Sequence, residues 1–164
     1  MPSRGTLGLA AAAAAAGAIA AYLHYRSKSR SKGEGSGLRV LRSAYTPPQY
    51  KIEHVDLNFV LTEEEAVTES TLSVSCSGQP GAPLHLDGEE LTLRSISMDG
   101  APLCEGTDYL LEAEGLTVLS PPSTAFKLKI IVATKPQDNT QLSGLYKTSG
   151  NYCTQCEAVG LCDC

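Results

Sequence analysis

From Tyr50 to Ala133 the chain repeats one device: short runs in which every second residue is apolar, cut by Gly, Pro and Asp-Gly pairs. A two-residue period puts alternate side chains on opposite faces of a strand, and no sustained helical period competes with it after residue 42. In "VDLNFVL", Val55, Leu57, Phe59 and Leu61 fall on one side and Asp56 and Asn58 on the other, as a half-buried strand requires. "TEEEA", Thr62 to Ala66, is a charged turn. "VTESTLSVSC" then places Leu72, Val74 and Cys76 on one face, so a first hairpin is expected. After the breaker cluster Ser77 to Pro83 come "LHL", a turn at Asp87-Gly88, "LTLRSISM", a turn at Asp99-Gly100, "YLLEAE", a break at Gly115, "LTVL" and "AFKLKIIVA". In the last run Phe126, Leu128, Ile130 and Val132 alternate with Lys127 and Lys129. Seven or so short strands with turns between them predict an all-β antiparallel sandwich or saddle.

Charge narrows what such a domain can meet. Residues 1 to 42 carry seven Lys/Arg and one acid, Glu34, whereas Ser43 onward carries six Lys/Arg against seventeen acids, a balance of -11. A surface of that sign repels phosphate backbones, which excludes nucleic acid as a partner. At 164 residues the chain has room for one domain with a modest core. It carries no Ser/His/Asp set with a local signature, no Gly-rich phosphate loop and no HExxH helix. His54 and His85 stand alone in predicted strands and read as polar residues on solvent faces, and Glu63, Glu64 and Glu65 read as a solvated turn.

The first 42 residues are a separate matter. "TLGLAAAAAAAGAIAAYL", Thr6 to Leu23, is uncharged for eighteen residues and helix-prone, and "HYRSKSRSK" follows it. That length just spans a bilayer, yet alanine transfers into lipid almost neutrally. Two functions fit: an organellar targeting segment for a plastid or mitochondrion, favoured by the absence of acids before Glu34, or a single-helix membrane anchor making its contact through residues 6–23. "SKGEGSG", Ser31 to Gly37, is a flexible linker.

At the other end "NYCTQCEAVGLCDC" packs Cys153, Cys156, Cys162 and Cys164 into twelve residues. Four thiolates suit tetrahedral zinc, but structural sites separate their ligand pairs by a dozen or more residues and here five intervene. A redox CxxC wants a helix N-terminus, and this region reads as β. Unrelated thiols are the third reading.

Three stretches, "YTPPQYKIEHVDLNFVL", "PLHLDGEELTL" and "NTQLSGLYKTSGNYCTQCEAVG", resemble the N-terminal β domain of the zinc aminopeptidases of the aminopeptidase N (alanyl aminopeptidase) family. The resemblance runs from about Ala44 to Gly160, and Cys-Thr-Gln-Cys-Glu is its most specific string. It implies an organisation of 1–42 as targeting or anchor segment plus linker, 43–160 as a partial family β domain, and 161–164 as a tail outside the family pattern. It also implies that Glu157 holds the free α-amine of a peptide substrate and that Gln155 lines the pocket for the first side chain. A carboxylate selects an ammonium by charge-assisted hydrogen bonds, so a peptide N-terminus would be preferred over an internal segment. The family's zinc sits on an HExxH helix in a catalytic domain, so Cys153 and Cys156 become packing residues, and no metal ligand or cofactor is expected in this chain. Where the family continues Gly-Phe-Arg, this chain reads "LCDC". The expectation is a truncated domain, inactive alone, with a sheet edge left open to aggregation or pairing. The alternative is a non-enzymatic, membrane-tethered β module that binds zinc or a protein partner through its C-terminal cysteines.

Overall fold

The computed structural model describes residue 45 and residues 47–155. The Ala-rich segment, Cys156, Glu157, Cys162, Cys164 and the 161–164 tail lie outside the described residues. Among the described residues ten strands are present and every paired strand is antiparallel to its neighbour, as the alternation predicts: β1 Tyr50–Leu61, β2 Ala66–Cys76, β3 Leu84–Asp87, β4 Thr92–Met98, β5 Ala101–Pro102, β6 Tyr109–Glu112, β7 Gly115–Val118, β8 Phe126–Thr134, β9 Gly144–Thr148 and β10 Asn151–Gln155. They form a five-stranded sheet in the order β1-β2-β8-β4-β5, a three-stranded sheet β3-β7-β6 and a two-stranded ribbon β9-β10.

The alternation decides which residues face inward. Register places Val74 opposite Phe126 and Leu72 opposite Leu128, and Ile96 and Met98 meet Ile130 and Leu128 from the other side of β8. Leu84, Leu116, Val118 and Tyr109 of the smaller sheet cover that row, and together they make the buried core. Leu128 is fully buried at its centre, a burial that contributes about 2 kcal/mol. Tyr50 closes one end, its ring edge-on to Phe126 at 6.2 Å and its hydroxyl donating to the Ala82 carbonyl at 2.7 Å. Loss of water raises its phenol above the ordinary value. No buried side-chain nitrogen or oxygen among the described residues lacks a partner.

Two turn signals resolve into defined geometry. Asp99 and Gly100 both take positive φ, 49° and 84°, in the two-residue loop between β4 and β5. That pair of angles is what a type I′ hairpin turn demands, and Asp-Gly supplies it at low cost. At Gly115 the constraint is proximity: an added Cβ would stand 2.4 Å from the Leu86 carbonyl oxygen, so only glycine lets β7 lie against β3 there.

One expectation needs correction. The inward row of β1 has the predicted facing but not the predicted burial: Val55, Leu57, Phe59 and Leu61 are 45%, 55%, 54% and 46% exposed, because the smaller sheet covers the far end of the larger one. The acid run is a solvated turn as expected, with Glu63 and Glu64 exposed, and it also carries partners: Glu63 pairs with Lys147, Glu65 with Arg94 at 2.7 Å, and the Glu64 carbonyl accepts from Gln137 at 2.7 Å. His54 and His85 are exposed as expected, His54 beside Asp56 at 3.1 Å and His85 bonded to Thr117 at 2.8 Å.

Candidate functional site

"GLYKTSGNYCTQ" folds as the β9-β10 ribbon because Ser149 and Gly150, at φ 50° and 82°, close Thr148 onto Asn151 in a second turn of the I′ kind. The register then runs Tyr152 to Lys147, Cys153 to Tyr146 and Gln155 to Gly144. Gln155 is exposed at the last described position of β10, and Cys153 is half-buried with a free thiol.

The ribbon shares no ladder with either sheet, so side chains hold it in place. Tyr152 donates its hydroxyl to the Thr62 carbonyl at 2.5 Å. Lys147 pairs with Glu63, stands 5.2 Å over the Tyr152 ring, and donates its backbone N–H to the Pro136 carbonyl at 2.8 Å. The hydrogen bond to Glu63 holds the ammonium above its ordinary pKa, against partial burial that pulls the other way. Asn139 braces the ribbon's base by donating to the Ser143 and Leu145 carbonyls at 2.7 and 3.0 Å. The turn that receives these contacts is itself locked: Thr62 donates through both its N–H and its hydroxyl to the Glu65 carbonyl, at 3.0 and 2.8 Å.

An open groove of about 570 Å³ begins at the β3-β4 connection, lined by Asp87, Glu89, Glu90 and Leu91, and ends at Gly144 and Leu145. Gly144 is the register partner of Gln155, so the ribbon brings that predicted residue to the rim of an acidic groove. Glu157 lies two residues beyond, outside the described residues. The spacing of motif residues could not disclose Tyr152, Lys147 and the Thr62–Glu65 turn as anchors, since the partners stand roughly ninety positions apart, as the 90-residue separation of Tyr152 and Thr62 shows. Among the described residues no group of three or more His, Cys, Asp or Glu is placed to hold a metal ion.

These features define an all-antiparallel β domain that ends in a braced two-stranded ribbon beside an acidic groove. No family model matches the chain. Aminopeptidase N of Caulobacter vibrioides is 42% identical over 116 residues, 71% of this chain and 13% of that protein. Aminopeptidase N of Escherichia coli is 38% identical over 119 residues, 73% of this chain and 13% of that protein. Among solved structures, aminopeptidase A of Legionella pneumophila in complex with aspartic acid superposes with a TM-score of 0.63 at 30% identity, over 73% of this chain and 14% of that one. A mutant M1 zinc metallopeptidase from Deinococcus radiodurans shares the fold at TM-score 0.50 and 19% identity, over 62% of this chain and 25% of that one. The chain belongs to the aminopeptidase N family and carries its N-terminal β domain, spanning about 13% of the length of the curated relatives it matches.

Proposed function

We propose that this chain supplies the substrate-anchoring wall of a zinc metalloaminopeptidase that removes N-terminal amino acids from peptides. Glu157 pairs with the free α-amine and Gln155 lines the pocket for the first side chain. The observation that supports this reading is the braced ribbon, which pairs Gln155 with Gly144 at the end of the acidic groove, in a chain 42% identical to an aminopeptidase N. A rigid support suits such a role, because an anchor that moves by an ångström loses most of its orienting effect. The 164 residues contain no HExxH, the motif that would hold the zinc and its activated water in a metalloaminopeptidase, so the chain by itself is expected to be inactive.

The test is a chimera in which residues 45–160 replace the matching segment of the Caulobacter vibrioides enzyme. An active chimera whose Glu157→Gln variant loses about 10- to 100-fold in kcat/KM, mostly through KM, supports the role, since a charge-assisted hydrogen bond is worth about 1.5–3 kcal/mol. A Glu157→Gln chimera with unchanged KM for free-amine substrates overturns it. Residues 1–42 are proposed to address a plastid or mitochondrion, on the strength of their Ala/Ser/Arg composition without an acid before Glu34. Import into isolated organelles should yield a shortened, internalised product; an uncleaved chain that resists alkaline extraction from membranes would instead establish the anchor.

A further inference from the structure

The two edges of the five-stranded sheet are built differently. β5 is two residues long, contains Pro102, which cannot donate to a ladder, and covers only Ser97 and Met98, so that edge offers further pairing only the short stretch of β4 broken by the irregularity between Leu93 and Ser95. β1 is twelve residues long, contains no proline, and carries a single charge, Asp56, between Val55 and Leu61. Its free edge runs beside an inward row that no other described element covers, with Val55, Leu57, Phe59 and Leu61 each about half exposed. Natural sheets guard such an edge with inward charges, prolines or bulges. Here the irregularity between Ile52 and His54 spares the eight residues that follow.

We infer that β1 is a pairing edge for a second copy of this chain, joined antiparallel in the register that sets Asn58 opposite its own copy. That register is selected by the sequence. It alone places Leu57 against Phe59 and Val55 against Leu61, so that all four inward residues meet one another; a shift by one residue either way leaves Leu61 facing Glu53 or Val55 facing Glu63. On the outer face Asn58 meets Asn58, whose amide both donates and accepts, and Asp56 meets Val60. Between Val55 and Leu61 no like charges oppose each other, Glu53 meeting Glu63 only beyond that span, whereas a register centred on Asp56 would stack two carboxylates in its middle. Edge pairing sets the two inward rows side by side and leaves their face open, so the lateral apolar contact falls short of the roughly 1,000 Å² of a specific interface. The dimer therefore needs its ladder hydrogen bonds as well, and its dissociation constant should be on the order of micromolar. The described residues carry fifteen acids against six Lys/Arg, so repulsion between copies makes association stronger as salt rises.

Sedimentation of the full chain over a concentration series, up to about 200 micromolar, tests this. A reversible monomer–dimer equilibrium is expected. Leu57→Lys, an inward charge on an exposed position, should weaken it at least about tenfold. The register is read at Val60: Val60→Lys sets an ammonium against Asp56 of the other copy and should tighten the dimer about threefold, while Val60→Asp opposes two carboxylates and should weaken it by as much. Circular dichroism confirms that each variant keeps its strands. A chain monomeric throughout the range overturns the inference, as do Val60 variants that shift the equilibrium in the same direction. So does a dimer that survives Leu57→Lys but disappears when residues 1–42 are removed, for then the Ala-rich segment makes the contact.

Discussion

Replacing Tyr152 by Phe removes one oxygen and leaves the ring over which Lys147 stands. The lost bond is the one from the Tyr152 hydroxyl to the Thr62 carbonyl, one of the few links between the ribbon and the sheets. A neutral hydrogen bond of this type contributes about 0.5–1.5 kcal/mol net. Thr62 is exposed, so water replaces the phenol at its carbonyl and the lower half of that range applies. The ribbon's opening equilibrium should then rise by about two- to fivefold while the global equilibrium barely moves, because β9 and β10 share no ladder with the core. Native-state hydrogen exchange reads this directly: amides of residues 144–155 should exchange about two- to fivefold faster in Tyr152→Phe, with β2 and β8 unchanged. Tyr152→Ala, which also removes the ring under Lys147, should exceed it. Exchange in the ribbon identical to wild type would refute the claim that this hydroxyl anchors the site. Acceleration spread evenly through β8 would refute the claim that the ribbon opens on its own.

Leu128→Ala empties the centre of the core and should cost about 2–5 kcal/mol, seen as a lower denaturant midpoint at constant slope. Gly115→Ala drives a methyl toward the Leu86 carbonyl and should cost about 1–3 kcal/mol, with the fastest-exchanging new amides in β3 and β7. Stability should be level near neutrality and fall as pH rises past about 10. Tyr50 and Tyr109, raised chiefly by burial, and Lys147, raised by Glu63, all bind protons more tightly folded than unfolded, so their contributions are present below the ordinary pKa and disappear as pH passes the folded one. Urea midpoints measured from pH 7 to 11 check the sign.

The long strands were legible because period two is a local property: β1, β2, β4 and β8 each show it within their own residues. β5 is too short to carry a period. β9 and β10 do not alternate against a core, since their sheet has only two strands, and neither was read as a strand from the sequence. Sheet membership was hidden: β3 and β4 are neighbours in the chain but lie in different sheets, with β3 on β7 and β4 on β8. Alternation likewise says which way Leu57 and Phe59 face and nothing about whether another layer arrives to cover them. At the site, Gln155 could be named from its motif, but its support depends on Thr62, Glu63 and Lys147, whose meeting is a tertiary fact.

The position of β8 between β2 and β4 has a consequence for how the chain is born. β1 and β2 emerge from the ribosome first and zip through a four-residue turn, yet the strand that completes β2 lies about sixty residues downstream, with Ala66 waiting for Thr134. At about 5–20 residues per second that wait lasts several seconds. Throughout it the first hairpin offers both of its edges and the apolar side chains of β2, and the arrival of Phe126 to Thr134 closes the β2 edge while leaving that of β1 open.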